Sequence, residues 1–218
     1  MTTPPIDRRP IAARDTRLAN AIANRLARWG VSPNGISIAG LFAGVLAGVA
    51  LFSTSLTDDW PRRGCWLAAA VLIILRLLAN MFDGMVAVST GRTSKLGELF
   101  NEFPDRISDA AALVGLGYAA GGMIELGYLT AIAALLTAYV RALGKTAGAP
   151  NVFAGPMAKQ QRMAIVILAA IVCAVLPIDW LEAARVPTWA LALILAGTAV
   201  TIVRRLLLIA GYLSKGAA

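Results

Sequence analysis

Residues Asn80 to Asp109 read NMFDGMVAVSTGRTSKLGELFNEFPDRISD, a run of acids and amides set in a chain whose flanks are almost uncharged. On the N-terminal side, residues 66 to 88 form an apolar run broken by Arg76 and Asp83 alone among charged residues. On the other side, Asn101 to Asp109 is polar, and the sequence becomes lipid-compatible from Ala110 onward. An apolar run of about 20 residues is long enough to cross a bilayer core as helix. The stretch therefore predicts two membrane helices with carboxylates gathered at their facing ends.

The rest of the chain extends that reading. Of its 218 residues 58% are hydrophobic and 15% charged, with a mean hydropathy of +0.71, a balance that excludes an ordinary water-soluble globule. Apolar runs fall at 36–54, 66–88, 100–122, 127–144, 160–178 and 188–213. Before the first of them Leu18, Ile22, Leu26 and Trp29 recur at helical spacing among Arg14, Arg17, Arg25 and Arg28, the pattern of a helix lying on a membrane surface. The expected fold is all-α and integral to the membrane: six transmembrane helices plus an N-terminal amphipathic surface helix. Residues 1–34 form the juxtamembrane segment and 35–218 the six-helix domain. The first thirty residues lack a short apolar core with a small-residue cleavage site, so insertion is expected from the spans themselves.

A formal charge of +8 invites a nucleic-acid reading, but the cations sit in short segments between apolar runs. Arg8, Arg9, Arg92, Lys95, Arg106, Arg141, Lys145, Lys159, Arg162, Arg204, Arg205 and Lys215 all fall on the side of the two termini, against Arg62, Arg63 and Arg185 on the other. That asymmetry predicts cytoplasmic termini and a cytoplasmic acidic stretch, with the charge serving orientation and anionic-lipid contact. The chain has no His and two distant cysteines, Cys65 and Cys173, which removes zinc-type sites and histidine bases. Gly40, Gly44 and Gly48 repeat every four residues, permitting close helix contact inside the bundle or between protomers.

Asn80, Asp83, Gly84 and Ala87 share one helical face, and Gly97, Asn101, Asp105 and Asp109 step by four along another. Carboxylates at membrane depth are costly unless they pair with cations, line water or hold a metal. Pairing with Arg92, Lys95 and Arg106 is the plainer alternative. A hard cation such as Mg2+ suits Asp and Asn oxygens and completes its shell with substrate phosphates. An ion-transporting role would need acids near mid-span, whereas these cluster at one side.

The stretch resembles the signature of the CDP-alcohol phosphotransferases (CDP-alcohol phosphatidyltransferases), D-x2-D-G-x2-A-R-x8-G-x3-D-x3-D. This chain reads Asn80-x2-Asp83-Gly84-x2-Ala87-Val88-x8-Gly97-x3-Asn101-x3-Asp105, with every spacing kept. The basic amphipathic N-terminus, the P-N-x-x-S entry to the first span and the basic segment before the fifth are similar as well. The resemblance implies transfer of a phosphatidyl or related group from a CDP-linked lipid donor such as CDP-diacylglycerol to an alcohol, releasing CMP, in phospholipid biosynthesis. It implies Mg2+ or Mn2+ as cofactor and a place in the bacterial inner (plasma) membrane. Asp105 would be metal ligand and catalytic base, with Asp83 a ligand and Asn80 and Asn101 at ligand positions. Asn34, Ser37, Gly84, Ala87, Ser94 and Gly97 match places that meet the CDP half of the donor.

Three positions depart from the signature: Asn80 and Asn101 stand for Asp, and Val88 for Arg. Each Asn removes one negative charge, which Glu102 or, better placed one turn beyond Asp105, Asp109 could restore, and Asp109 is expected to join the metal site. Arg92 is the nearest substitute for the missing Arg, while Arg76, inside the second span, could pair with a carboxylate or snorkel to an interface and has no assigned role. Arg141 with Lys145, and Lys159 with Arg162, form two cationic faces that match acceptor-phosphate positions in relatives, or else serve only as orientation charge. The glycine-spaced faces also suggest a homodimer. A catalytically impaired relative that binds a CDP-lipid or nucleotide without turnover is the alternative function.

Overall fold

The computed structural model describes residues 16–91, 95–176 and 185–216, and every regular element among them is a helix. α1 (Arg17–Arg28) starts where the Thr16 hydroxyl accepts from the Ala19 N–H at 3.3 Å. α2 (Pro33–Ser53) starts at Pro33, with the Ser32 hydroxyl accepting from the Gly35 N–H at 3.1 Å. They are followed by α3 (Asp59–Ser89), α4 (Lys95–Tyr118), α5 (Ile124–Thr146), α6 (Lys159–Val175) and α7 (Val186–Gly216). A helix thus forms at each expected apolar run. Four of them, α2, α3, α5 and α7, are long and apolar enough to cross a membrane. α4 carries its polar first half and α6 is 17 residues long, so neither meets that measure unaided.

The bundle is joined along α2 to α3 and α4, α4 to α5, α5 to α7, α7 to α6 and α6 to α3. Trp66, Ile73, Leu113, Leu116, Val166, Leu191 and Ile194 fill its centre. Phe42, Leu46 and Val49 on α2, Leu129 and Ile132 on α5, and Leu193, Val200 and Leu207 on α7 point outward. Such an outer apolar surface is out of place in water and matches lipid. The chain is an integral membrane protein. α1 turns Ala19 and Ala23 inward, with Ala23 packed beside Ile36 and Val86, and leaves Leu18 and Trp29 exposed.

α2 and α4 approach closely because small residues meet. A Cβ at Gly44 would lie 2.2 Å from Ser108 Cβ, and one at Gly48 would lie 2.4 Å from the Ala111 carbonyl oxygen. Gly115 returns the contact, its own added Cβ lying 2.4 Å from the Gly48 oxygen. Gly40, Gly44 and Gly48 are buried. The four-residue glycine repeat is therefore used inside the bundle, and it presents no free face for a second chain.

The connection from α5 to α6 is pinned at several points. The Arg205 side chain donates to the Thr137 carbonyl at 2.7 Å and to the Ala154 carbonyl at 3.0 Å. Gly155 adopts φ +124° with its α-carbon face against Thr201, where a Cβ would come within 2.4 Å. The Met157 N–H donates to Thr201 Oγ1 at 3.0 Å. These contacts fix the point from which Lys159 and Arg162 enter the bundle.

Candidate functional site

Arg76, Asn80 and Asp83 recur at i, i+4 and i+7, so α3 presents all three along one face. α4 presents Asp105, Ser108 and Asp109 toward them. Ser37, Gly40, Leu41, Arg76, Asn80, Asp83, Pro104 and Asp105 line one small cleft.

Asp83 is 3% exposed. Its Oδ2 accepts from Ser37 Oγ at 2.7 Å, and its Oδ1 has no partner in hydrogen-bonding geometry. Ser37 itself is held by α2, its hydroxyl also reaching the Pro33 carbonyl at 3.2 Å. Across the cleft, the Asp105 carboxylate accepts from Asn80 Nδ2 at 3.0 Å on each oxygen. Arg76 Nη2 donates to Asp105 Oδ1 at 3.1 Å and to the Asp105 carbonyl at 3.0 Å, and Lys159 forms an ion pair with Oδ2.

Arg76 is the hub, although sequence reasoning gave it no role. It is 2% exposed, its Nε donates to Ser108 Oγ at 2.8 Å, and its Nη2 lies 2.7 Å from Asp109 Oδ1. That last contact is ionic, because Oδ1 has no hydrogen bond in good geometry. Ser108 in turn donates to the Pro104 carbonyl at 2.9 Å, a bond within α4. Gly44 gives Ser108 its room, so the helix contact and the site are coupled through one hydroxyl. The sequence did carry a signal: an arginine inside an apolar run, one turn before the first signature position, must find an acid on its own face or opposite it.

The remaining candidates divide. Asp109 lies apart from the cleft, between Arg76 and Arg162, whose Nη2 is 3.4 Å from Asp109 Oδ2. Arg141 reaches Glu102 at 2.7 Å and lies over the Phe153 ring, while Lys145 is exposed. The cations of α5 and α6 therefore do not form one cluster: Lys159 and Arg162 meet Asp105 and Asp109 of α4, and Arg141 meets Glu102 on the same helix. Asn34, Gly84 and Ala87 are half-buried near the start of α2 and the end of α3. Val88, at the signature's arginine position, is exposed. Gly97 and Asn101 lie in α4, the Asn101 side chain outside the described residues, and Arg92 and Ser94 lie outside them altogether.

Hard oxygen donors converge here: two carboxylates, one carboxamide and one hydroxyl on a single cleft, with a buried carboxylate oxygen of Asp83 unpartnered. That donor set fits a hard divalent cation, whose remaining places are ordinarily filled by water and substrate phosphates. Asn80, as placed, turns its Nδ2 to Asp105 and must rotate its amide to offer oxygen instead. Among the described residues no group of three or more Asp, Glu, Cys or His side chains could hold a metal ion.

Fold and site together define a class: a helical membrane protein with an acid-lined cleft where two of its helices face each other. Residues 30–203 match the family model for CDP-alcohol phosphatidyltransferase, and the chain belongs to that family. It is 30% identical over 161 residues to phosphatidylinositol phosphate synthase of Streptomyces avermitilis, covering 71% of this chain and 62% of that protein. The match thus spans less than two thirds of that relative's length. To archaetidylinositol phosphate synthase of Aeropyrum pernix it is 31% identical over 207 residues, 92% of this chain and 94% of the relative. The crystal structure of Mycobacterium tuberculosis phosphatidylinositol phosphate synthase with CDP-DAG bound superposes with a TM-score of 0.70 at 25% identity, covering 89% of this chain and 94% of that one.

Proposed function

We propose that the chain catalyses metal-dependent transfer of a phosphatidyl or related substituted phosphate group from a CDP-linked lipid donor to an alcohol, releasing CMP. The observation that carries this reading is that Asp83 of α3 and Asp105 of α4, with Asn80 and Ser37, line one cleft. In it, α2 to α7 all cross the membrane, α4 and α6 being sheltered by their neighbours, and the cleft opens on the cytoplasmic side with both termini. α1 lies at the surface with Leu18 and Trp29 toward lipid.

Asp105 takes the proton of the acceptor hydroxyl. The hydroxyl oxygen forms a new bond to the lipid-bearing phosphorus while the bond from that phosphorus to the CMP oxygen breaks, and CMP leaves with the electron pair. Asp83 and a rotated Asn80 would hold the divalent ion, with Asp105 across the cleft, and the ion would supply neutralising charge to the diphosphate and its leaving group. Ser37 orients Asp83. Asn34, Gly84, Ala87, Ser94 and Gly97 are assigned to the CDP half of the donor, with glycine and alanine allowing close approach of the backbone.

The acceptor is proposed to carry a phosphate. Two relatives are named as synthases of inositol phosphate lipids, and Lys159 stands beside the proposed base with Arg162 one turn on. A phosphate arriving there would draw Lys159 from Asp105 and free that carboxylate to act. Arg141 and Lys145 are assigned to the outer edge of the acceptor's path.

A second reading, binding of a CDP-lipid without turnover, draws on Asn80, Asn101 and Val88 and on the crowded Asp105 carboxylate. CMP release from CDP-diacylglycerol, with Mg2+ or Mn2+ and a panel of free and phosphorylated alcohols, separates the two. Release that depends on one acceptor supports transfer; donor binding without release under every condition supports the binder.

A further inference from the structure

We infer that Arg76 takes the electrostatic place of a second divalent ion, so that this site holds one ion, on the Asp83 side of the cleft. The inference rests on the transferase reading above and sharpens it.

Three observations lead there. The signature's four aspartates are two aspartates and two asparagines in this chain. The two lost negative charges equal the charge of one divalent cation. Next, Arg76 supplies the cation that the remaining acids would otherwise need: its Nη2 lies 3.1 Å from Asp105 Oδ1 and 2.7 Å from Asp109 Oδ1. With Lys159 and Arg162 it sets three fixed cations against Asp105 and Asp109, so the acids of α4 are already matched by positive charge before any ion arrives. A second ion beside Asp105 would sit within a few ångströms of two of those cations, where repulsion in a low-dielectric interior is severe.

Finally, two of the buried atoms without a hydrogen-bond partner belong to residues of this cleft. Asp83 Oδ1 and Arg76 Nη1 both lack partners, and both residues line the same cleft. One is an anionic oxygen suited to a cation, the other a guanidinium donor suited to an anionic oxygen of the donor's diphosphate. The pair grips a metal diphosphate with one mobile and one built-in positive group. Sequence register supports the pairing, since Arg76 precedes Asn80 by one helical turn and shares its face.

The test counts bound Mn2+ by electron paramagnetic resonance on the full chain in lipid nanodiscs. The account expects one Mn2+ per wild-type chain, none in Asp83→Asn, and two in the triple variant Arg76→Gln/Asn80→Asp/Asn101→Asp. Two ions in the wild type, none in the wild type, one retained in Asp83→Asn, or one in the triple variant would each overturn it. If the triple variant does not yield a folded chain, the wild-type and Asp83→Asn counts decide alone. CMP release from CDP-diacylglycerol is followed in the same nanodiscs. One bound ion without CMP release contradicts the transferase reading and spares the ion count; two bound ions with CMP release does the reverse.

Discussion

Arg76 Nη2 lies 3.0 Å from the backbone carbonyl and 3.1 Å from the carboxylate of Asp105, tying α3 to α4 at the floor of the cleft. The two residues are 29 positions apart, and few direct contacts join these helices elsewhere. The ion pair is therefore both a structural clasp and a constraint on the proposed base.

Removing the clasp leaves Asp105 and Asp109 short of a cation in a buried setting. Arg76→Leu is expected to destabilise the fold by about 3–5 kcal/mol, the usual cost of breaking a buried pair from one side. Arg76→Lys should recover part of it, because an ammonium cannot serve Ser108, Asp105 and Asp109 with the geometry of a planar fork. Unfolding midpoints in mixed micelles measure both, and an unchanged midpoint for Arg76→Leu would contradict the assigned role.

The glycine contact makes a separate prediction. Gly48→Val drives a branched side chain into the Ala111 carbonyl, where even a Cβ is 2.4 Å away. Overpacking of this kind costs about 1–3 kcal/mol or more. Gly64→Ala has nothing within 4 Å of the new methyl and serves as the control, expected to leave the midpoint unchanged or slightly raised.

Arg141 and Glu102 are partly exposed, with side-chain accessibilities of 19% and 51%. Their pair is expected to add less than about 1 kcal/mol to stability. If Arg141 guides a phosphorylated acceptor, Arg141→Ala raises the acceptor KM severalfold with the donor KM and the unfolding midpoint unchanged. A shift in the donor KM instead would place Arg141 on the other substrate.

Much of this architecture was legible before any coordinates. Apolar run length found all six long helices, because lipid exposure forces continuous hydrophobicity, and signature spacing brought Asp83 and Asp105 to one cleft. The stripe on α1 marks its outer side only: Leu18 and Trp29 are exposed, and it is the small Ala19 and Ala23 that face the protein, since a helix lying against α3 needs room more than hydrophobic area. The partition of the cations was not legible at all. Helical spacing places Lys159 and Arg162 on one face but is silent about what lies opposite, and Arg76 became meaningful only once Asp105 and Asp109 were seen across from it.

CMP release from CDP-diacylglycerol by the wild type and by Asp105→Asn, in nanodiscs with Mn2+ and a phosphorylated acceptor, bears most directly on the proposed function. The expected result is acceptor-dependent release by the wild type and a loss of about 10²–10⁴-fold in the variant, the span typical of a removed general base. Equal rates from the two proteins, or no release from the wild type with any acceptor, would contradict it.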